Sequence, residues 1–252
     1  MAQEATNNDK LYRIRHSASH LMAAAVLEVF PDAKLAIGPP IKDGFYYDFD
    51  LPRPLSTDDL PDIEERMQRL AKENIPFIQE EWDKDKAREF FADQPYKLEL
   101  IEAIEGDTVS TYKSGPLIDL CAGPHVRYSK QAKSFKLLKV AGAYWRGDEK
   151  KPMLQRIYGT AWANKTELDN YLHVLEEAKR RDHRKLGREL DLFDFNRLAP
   201  GLHLLAPQGL DVLSRAHGVF PGNRSRPRLR RDLQPDALQQ RALRAVRPLG
   251  SL

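Results

Sequence analysis

Cysteine occurs once in this chain, at position 121, so no internal disulfide is available and the composition fits a reducing compartment. No apolar run approaches the ~20 residues needed to span a bilayer. The stretch from Met1 to Arg15 is polar and lacks the apolar centre of a secretory signal. These absences predict a cytoplasmic protein with no membrane partner. Excess charge of one sign is missing too: 40 Lys and Arg stand against 37 Asp and Glu, a formal net charge of +3. So mild a balance neither demands nor excludes a nucleic-acid partner, and the distribution of charge has to decide.

What is present is enough chain, 252 residues, to bury a real core. The first zone, to about Trp162, mixes the periods of helix and strand, as an α+β domain does. His16 to Phe30 reads as a helix stopped by Pro31, with Leu21, Ala24, Ala25 and Leu27 at helical spacing. Phe45, Tyr47 and Phe49 alternate after Asp43-Gly44, which predicts a hairpin. Thr57 opens a second helix through Leu60, Ile63, Met67 and Leu70, and a short third one lies near Asp85 to Ala92. Strand-like segments follow at Tyr96–Leu100, Thr108–Tyr112, Phe135–Tyr144 and Leu154–Tyr158. Their arrangement implies a largely antiparallel sheet with packed helices.

The second zone is one long helical pattern from Thr166, expected as its N-cap, to Leu190. Its basic run Lys179-Arg180-Arg181-Asp182-His183-Arg184-Lys185 reads either as a solvated face or as a contact to an RNA backbone. From His203 to Leu252 lysine and glutamate are absent, arginine is abundant and Phe220 is the only aromatic. Neither period persists there, so little stable structure is expected, because such a segment buries too little to offset its ordering entropy.

Two spaced motifs carry chemistry. His16-x-x-x-His20 puts two imidazoles on one helix face. Cys121-Ala122-Gly123-Pro124-His125 puts a thiol and an imidazole on one turn. The four form a tetrahedral zinc set, or they hold and polarise a hydrolytic water without metal, or they are separate packing residues. Composition alone leaves all three open.

The wider text carries a resemblance. In order come Arg15–Leu21 around the histidines, Ala36-Ile37-Gly38-Pro39, Gly44-Phe45-Tyr46-Tyr47-Asp48, Asp119-Leu120-Cys121-Ala122-Gly123-Pro124-His125 and Phe135-Lys136-Leu137. Tyr144-Trp145-Arg146-Gly147-Asp148, Gln155-Arg156-Ile157-Tyr158-Gly159-Thr160-Ala161-Trp162 and Lys179–Gly187 follow. This series is similar to the editing domain and linker helix of bacterial threonyl-tRNA synthetases, from Leu11 to Gly201. Its histidine and cysteine motifs are shared with alanyl-tRNA editing domains.

The resemblance implies an editing domain at 16–163 after a flexible segment 1–15, a linker helix at 164–192 and, at 193–202, the entry to a class II catalytic domain. It implies hydrolysis of seryl-tRNA(Thr), with the tRNA(Thr) acceptor end carrying serine as partner. His16, His20, Lys97, Cys121 and His125 would be catalytic, Lys97 orienting water or stabilising negative charge. Gly38, Tyr47 and Asp119 would contact the seryl group or terminal adenosine. Zinc on His16, His20, Cys121 and His125 stays open, since alanyl editing relatives bind it through this motif. Two other readings are a free-standing trans-editing hydrolase and a non-catalytic tRNA-binding fragment.

The resemblance ends after Gly201. A shifted reading frame near Leu204 is expected: codons available to Leu205–Asp211 read one base later as Trp-His-Pro-Lys-Gly-Trp-Thr, which is how the family continues. Codons for Arg247–Leu252 read in the same register as Gly-His-Trp-Asp-His, also a family string. On this reading 203–252 is a disordered tail, and neither ATP nor the catalytic zinc of the full-length family has a recognisable site. Ligase activity would be absent. The full-length family dimerises through its catalytic domain, so this chain is expected to be a monomer.

Overall fold

The computed structural model describes residues 2–195 and 203–219. The chain divides into two compact units, Met1–Glu177 and Ala178–Leu252.

The first unit is α+β with antiparallel sheets. Helix α1 spans Ala2–Val29 and is followed by β1 (Lys34–Leu35), β2 (Pro40–Ile41) and β3 (Gly44–Asp50). Ile41 pairs with Gly44, so Lys42 and Asp43 make a two-residue hairpin turn, as the alternation around Asp43-Gly44 predicts. Then come α2 (Leu60–Lys72), β4 (Phe77–Asp83), α3 (Lys84–Phe90), α4 (Pro95–Ala103), β5 (Thr108–Ser114), β6 (Leu117–Leu120), β7 (Phe135–Tyr144) and β8 (Met153–Ala161). One sheet has the order β1-β3-β8-β7 with β2 also on β3, and the other the order β4-β5-β6. All their pairings are antiparallel.

The main core lies between the larger sheet and helices α1 and α2. Ala18, Leu21, Met22 and Ala25 of α1 and Ile63, Met67 and Leu70 of α2 meet Phe45, Tyr47 and Phe49 of β3. A smaller core of Trp82, Ala87, Phe91, Ile101 and Val109 joins α3 and α4 to the second sheet. Burying the α1 stripe fixes which face of that helix looks inward, and this face carries both histidines.

Several elements differ from the sequence reading. Helix α1 begins at Ala2 rather than His16, so the segment expected to be flexible is helical. No Gly or Pro interrupts it before Pro31, an Asp9–Arg13 pair at 3.0 Å bridges one turn, and Ile14 is buried. Tyr96–Leu100, expected as a strand, lies in α4. Pro95 starts that helix, and its buried residues are Tyr96, Lys97 and Ile101, a helical spacing. In so short a segment alternate apolar residues do not separate the two periods. Strand β4 was not expected at all, because Gln79-Glu80-Glu81 breaks the apolar alternation.

The expected single linker helix is two helices: α5 (Lys165–Arg180) and α6 (His183–Glu189). Asp182 breaks them, its carboxylate accepting from the Arg184 N–H at 2.8 Å as an N-cap. Asn164, not Thr166, caps α5, accepting from the Glu167 N–H at 2.9 Å. Most of α5 belongs with the first unit, where Leu168 is buried and Tyr171 meets Trp162 at 4.9 Å. The boundary between the two compact units falls inside α5.

In the second unit β9 (Phe193–Phe195) pairs antiparallel with β10 (His203–Leu205), and Pro207–Val219 forms α7. Strand β10 and helix α7 lie inside the stretch for which the sequence predicts little structure. The rest of that stretch, 220–252, and residues 196–202 of the expected entry segment lie outside the described residues. No helix among the described residues is long and apolar enough to cross a membrane.

Candidate functional site

Helix α1 supplies His16 and His20, one turn apart on its inward face. The loop after β6 supplies Cys121 and His125. That loop depends on Gly123, which sits at φ +71; a Cβ there would lie 2.5 Å from the Tyr112 hydroxyl. Ser17 fastens the loop to the helix: its hydroxyl accepts from the Val126 N–H at 3.0 Å and lies 3.1 Å from His125 Nδ1. The rings of His16 and His125 stack with centroids 4.1 Å apart, and Phe77 covers the His125 ring at 5.0 Å.

Cys121 Sγ ends 3.3 Å from His16 Nε2 and 3.2 Å from His125 Nε2. One donor atom from each of His16, His20, Cys121 and His125 lies within 4.8 Å of all the others. A tetrahedral zinc places its nitrogen and sulfur ligands about 3.6 Å apart, close to the two distances at Sγ. The outer nitrogen of His16 suits this use. His16 Nδ1 donates to the Pro124 carbonyl at 3.2 Å, which puts its proton outward and its Nε2 lone pair inward. His20 Nδ1 is buried and has no hydrogen-bond partner. Three imidazoles and a thiolate are a zinc-type donor set, and the residues fit the ion.

Burial sets the protonation of the metal-free centre. It lowers His16, His20 and His125 below the ordinary imidazole value, His20 and His125 most, with neighbouring imidazoles adding to the shift of both. It pushes the Cys121 thiol up to about 12. Without metal the centre is neutral at physiological pH: burial opposes protonation of its imidazoles, least at His16, and its thiol is a poor nucleophile.

A second group lies beside it. The Tyr47 hydroxyl donates to Asp119 Oδ2 at 2.6 Å, and Lys97 Nζ donates to the Tyr47 oxygen at 3.1 Å while ion-pairing with Asp119 Oδ1. Burial, then Asp119, holds the Tyr47 hydroxyl well above the ordinary phenol range. His20 Nε2 stands 3.7 Å from Asp119 Oδ2. Gly38 lies against the Tyr47 ring, where a Cβ would come within 2.1 Å of Cδ2, and its carbonyl accepts from Ser19 at 2.7 Å. Lys97 also borders a cavity of about 220 Å³ among Leu27, Leu35, Phe91, Gln94 and Leu117, which none of the four metal-type donors lines.

The eight residues selected from the sequence thus form two adjoining groups joined at His20 and Asp119. Sequence reasoning missed Ser17, although its place between the two histidines in the motif was a signal. It also missed Phe77 and Tyr112, which pack on the His125 ring from separate strands and carry no local signature.

Residues 109–158, which hold Asp119, Cys121 and His125, match the family described as the threonyl and alanyl tRNA synthetase second additional domain. A threonine--tRNA ligase of Dehalococcoides mccartyi is 60% identical over 200 residues, 79% of this chain and 34% of the relative. That of Aromatoleum aromaticum is 58% identical over 192 residues, 75% and 30% of the two chains. That of Thermotoga maritima is 54% identical over 204 residues, 79% and 32%. The chain spans about a third of the length of these relatives.

Proposed function

This chain belongs to the threonine--tRNA ligase family, and on that premise we propose that its histidine–cysteine centre hydrolyses the ester of mischarged seryl-tRNA(Thr). A site that selects threonine by its hydroxyl gains only about 1–3 kcal/mol against serine, which keeps the hydroxyl and lacks one methyl, so a second hydrolytic selection is needed. The observation that carries the reading is the convergence of His16, His20, Cys121 and His125 on one point.

The reaction requires water to attack the seryl carbonyl, one imidazole to take the proton of that water, and a proton to reach the departing ribose hydroxyl. The products are serine and uncharged tRNA(Thr). Of the three imidazoles His16 is the least shifted by burial and is the base best suited to the proton transfer. The raised Cys121 thiol favours water over sulfur as the nucleophile.

His16, His20, Cys121 and His125 would hold zinc, and the chemistry zinc supplies when bound is polarisation of a water. Four protein donors, however, close the tetrahedron, whereas hydrolytic zinc sites keep one position open. Metal-free hydrolysis is therefore the reading favoured here, with zinc as a structural occupant that competes with it.

The test is release of amino acid from seryl-tRNA(Thr) and threonyl-tRNA(Thr) by the purified chain, with and without chelator. We expect the seryl ester to be cleaved, the threonyl ester spared and chelator to leave the rate unchanged or raise it. His16→Ala should cut the rate by about 100-fold or more. A folded chain that leaves seryl-tRNA(Thr) intact in both conditions would sink the proposal, and abolition by chelator alone would reverse the role given to zinc.

A further inference from the structure

We propose that Asp119 is a positioning residue that fixes the tautomer and ring orientation of His20, with Lys97 and Tyr47 holding its carboxylate in place. The inference rests on the hydrolytic reading for its consequence in catalysis, but its structural content is independent of that reading.

The outer nitrogens of the other two imidazoles are already engaged. His16 Nδ1 faces the Pro124 carbonyl and His125 Nδ1 faces the Ser17 hydroxyl, so each directs Nε2 at Cys121. His20 has no such hydrogen bond, and its Nδ1 is buried without a partner. Asp119 Oδ2 lies 3.7 Å from the other nitrogen of His20, Nε2, and the Lys97 ammonium paired with that carboxylate also acts on the ring. That distance is too long for a direct hydrogen bond, yet in a buried site the field of a carboxylate still selects the form that points an N–H toward it. A carboxylate only accepts, so the proton sits on Nε2 and the lone pair on Nδ1 stays free for a water proton or a metal.

The carboxylate cannot turn away. Oδ1 is ion-paired with Lys97 and Oδ2 accepts from Tyr47, while the side chains of Lys97 and Asp119 are only 2% and 3% exposed. A buried ion pair is a poor source of stability compared with apolar residues of the same volume, so its presence calls for another reason. Three elements meet here: α4 brings the ammonium, β3 the phenol and β6 the carboxylate. The polar atoms of Tyr47 and Asp119 are engaged with each other and with Lys97, which fixes the carboxylate beside His20.

The experiment combines imidazole nitrogen NMR with kinetics. In the chelator-treated native chain His20 should appear as the Nε2–H tautomer. In Asp119→Asn the preference should be lost, with kcat on seryl-tRNA(Thr) down about 10–100-fold, the usual scale for loss of a group that orients a working imidazole, and KM within about twofold. The double variant Asp119→Asn with Lys97→Met removes the stranded ammonium. It should recover Tm while kcat stays low. An Nδ1–H tautomer in the native chain, or recovery of kcat together with Tm in the double variant, would overturn the proposal. If the native chain cleaves no ester, the hydrolytic reading falls alone, and the tautomer still decides this one.

Discussion

The hydroxyl of Ser17 lies 3.1 Å from Nδ1 of His125, joining the helix that carries two of the four donors to the loop that carries the other two. The same oxygen accepts from the Val126 N–H, so one atom serves two buried partners. Ser17→Ala leaves both without a hydrogen bond, at a cost of about 1–3 kcal/mol. We expect a matching loss in urea denaturation and a fall of about tenfold in deacylation. Native stability and rate in this variant would show that the loop is placed by packing alone.

Cys121 is expected to behave as an unreactive thiol in the metal-free chain, because burial pushes it up to about 12. With chelator present, alkylation by iodoacetamide at pH 7.5 should be at least about tenfold slower than for an exposed cysteine. Cys121→Ala should lower deacylation through lost geometry, yet no seryl-enzyme should be trapped in the native chain on acid quenching. Fast alkylation, or a covalent seryl adduct, would restore sulfur as the nucleophile.

Acid should weaken the metal-free fold. His16, His20 and His125 are held below the ordinary value of 6.5, so the folded chain binds fewer protons than the unfolded one as pH drops. Their neutral forms cost nothing above pH 6.5, and stability is lost as pH falls below it. Each histidine that stays neutral while its unfolded counterpart charges removes about 1.4 kcal/mol per pH unit. Thermal melts between pH 7.5 and 5 in chelator should show Tm falling through this window, with a shallower slope in His125→Gln. A flat profile to pH 5 would contradict the burial of these rings.

Gly38 has no room for a side chain, because a Cβ would enter the Tyr47 ring at 2.1 Å. Gly38→Ala should therefore displace that ring from Asp119 and destabilise by about 1–3 kcal/mol, the range for overpacking a filled core. Guanidinium denaturation and the His20 nitrogen shifts should change together. A variant with native stability and an unmoved His20 signal would show that the loop bearing Gly38 yields freely.

Much of this molecule was legible before any coordinates. His16 and His20 declared themselves because a spacing of four fixes the relative direction of two side chains on a helix. The hairpin at Asp43-Gly44 followed from turn chemistry and alternation, both local. Short polar or mixed segments were less readable. Strand β4 carries Gln79-Glu80-Glu81 because much of it faces solvent, and α4 hid behind alternate apolar residues at Tyr96, Leu98 and Leu100.

The amino-acid sequence by itself determined the two local halves of the centre, a helical histidine pair and a Cys-x-x-x-His turn, along with the stripes that bury their supports. Only the tertiary structure decided that these halves meet, 105 residues apart at Cys121 and His16, and that Lys97, Tyr47 and Asp119 pair with one another. Local patterns set the direction of a side chain through backbone dihedrals, which span a few residues. Which distant group it finds there depends on how the burial of α1, α2 and the larger sheet brings separate elements together, and no spacing in the chain encodes that distance.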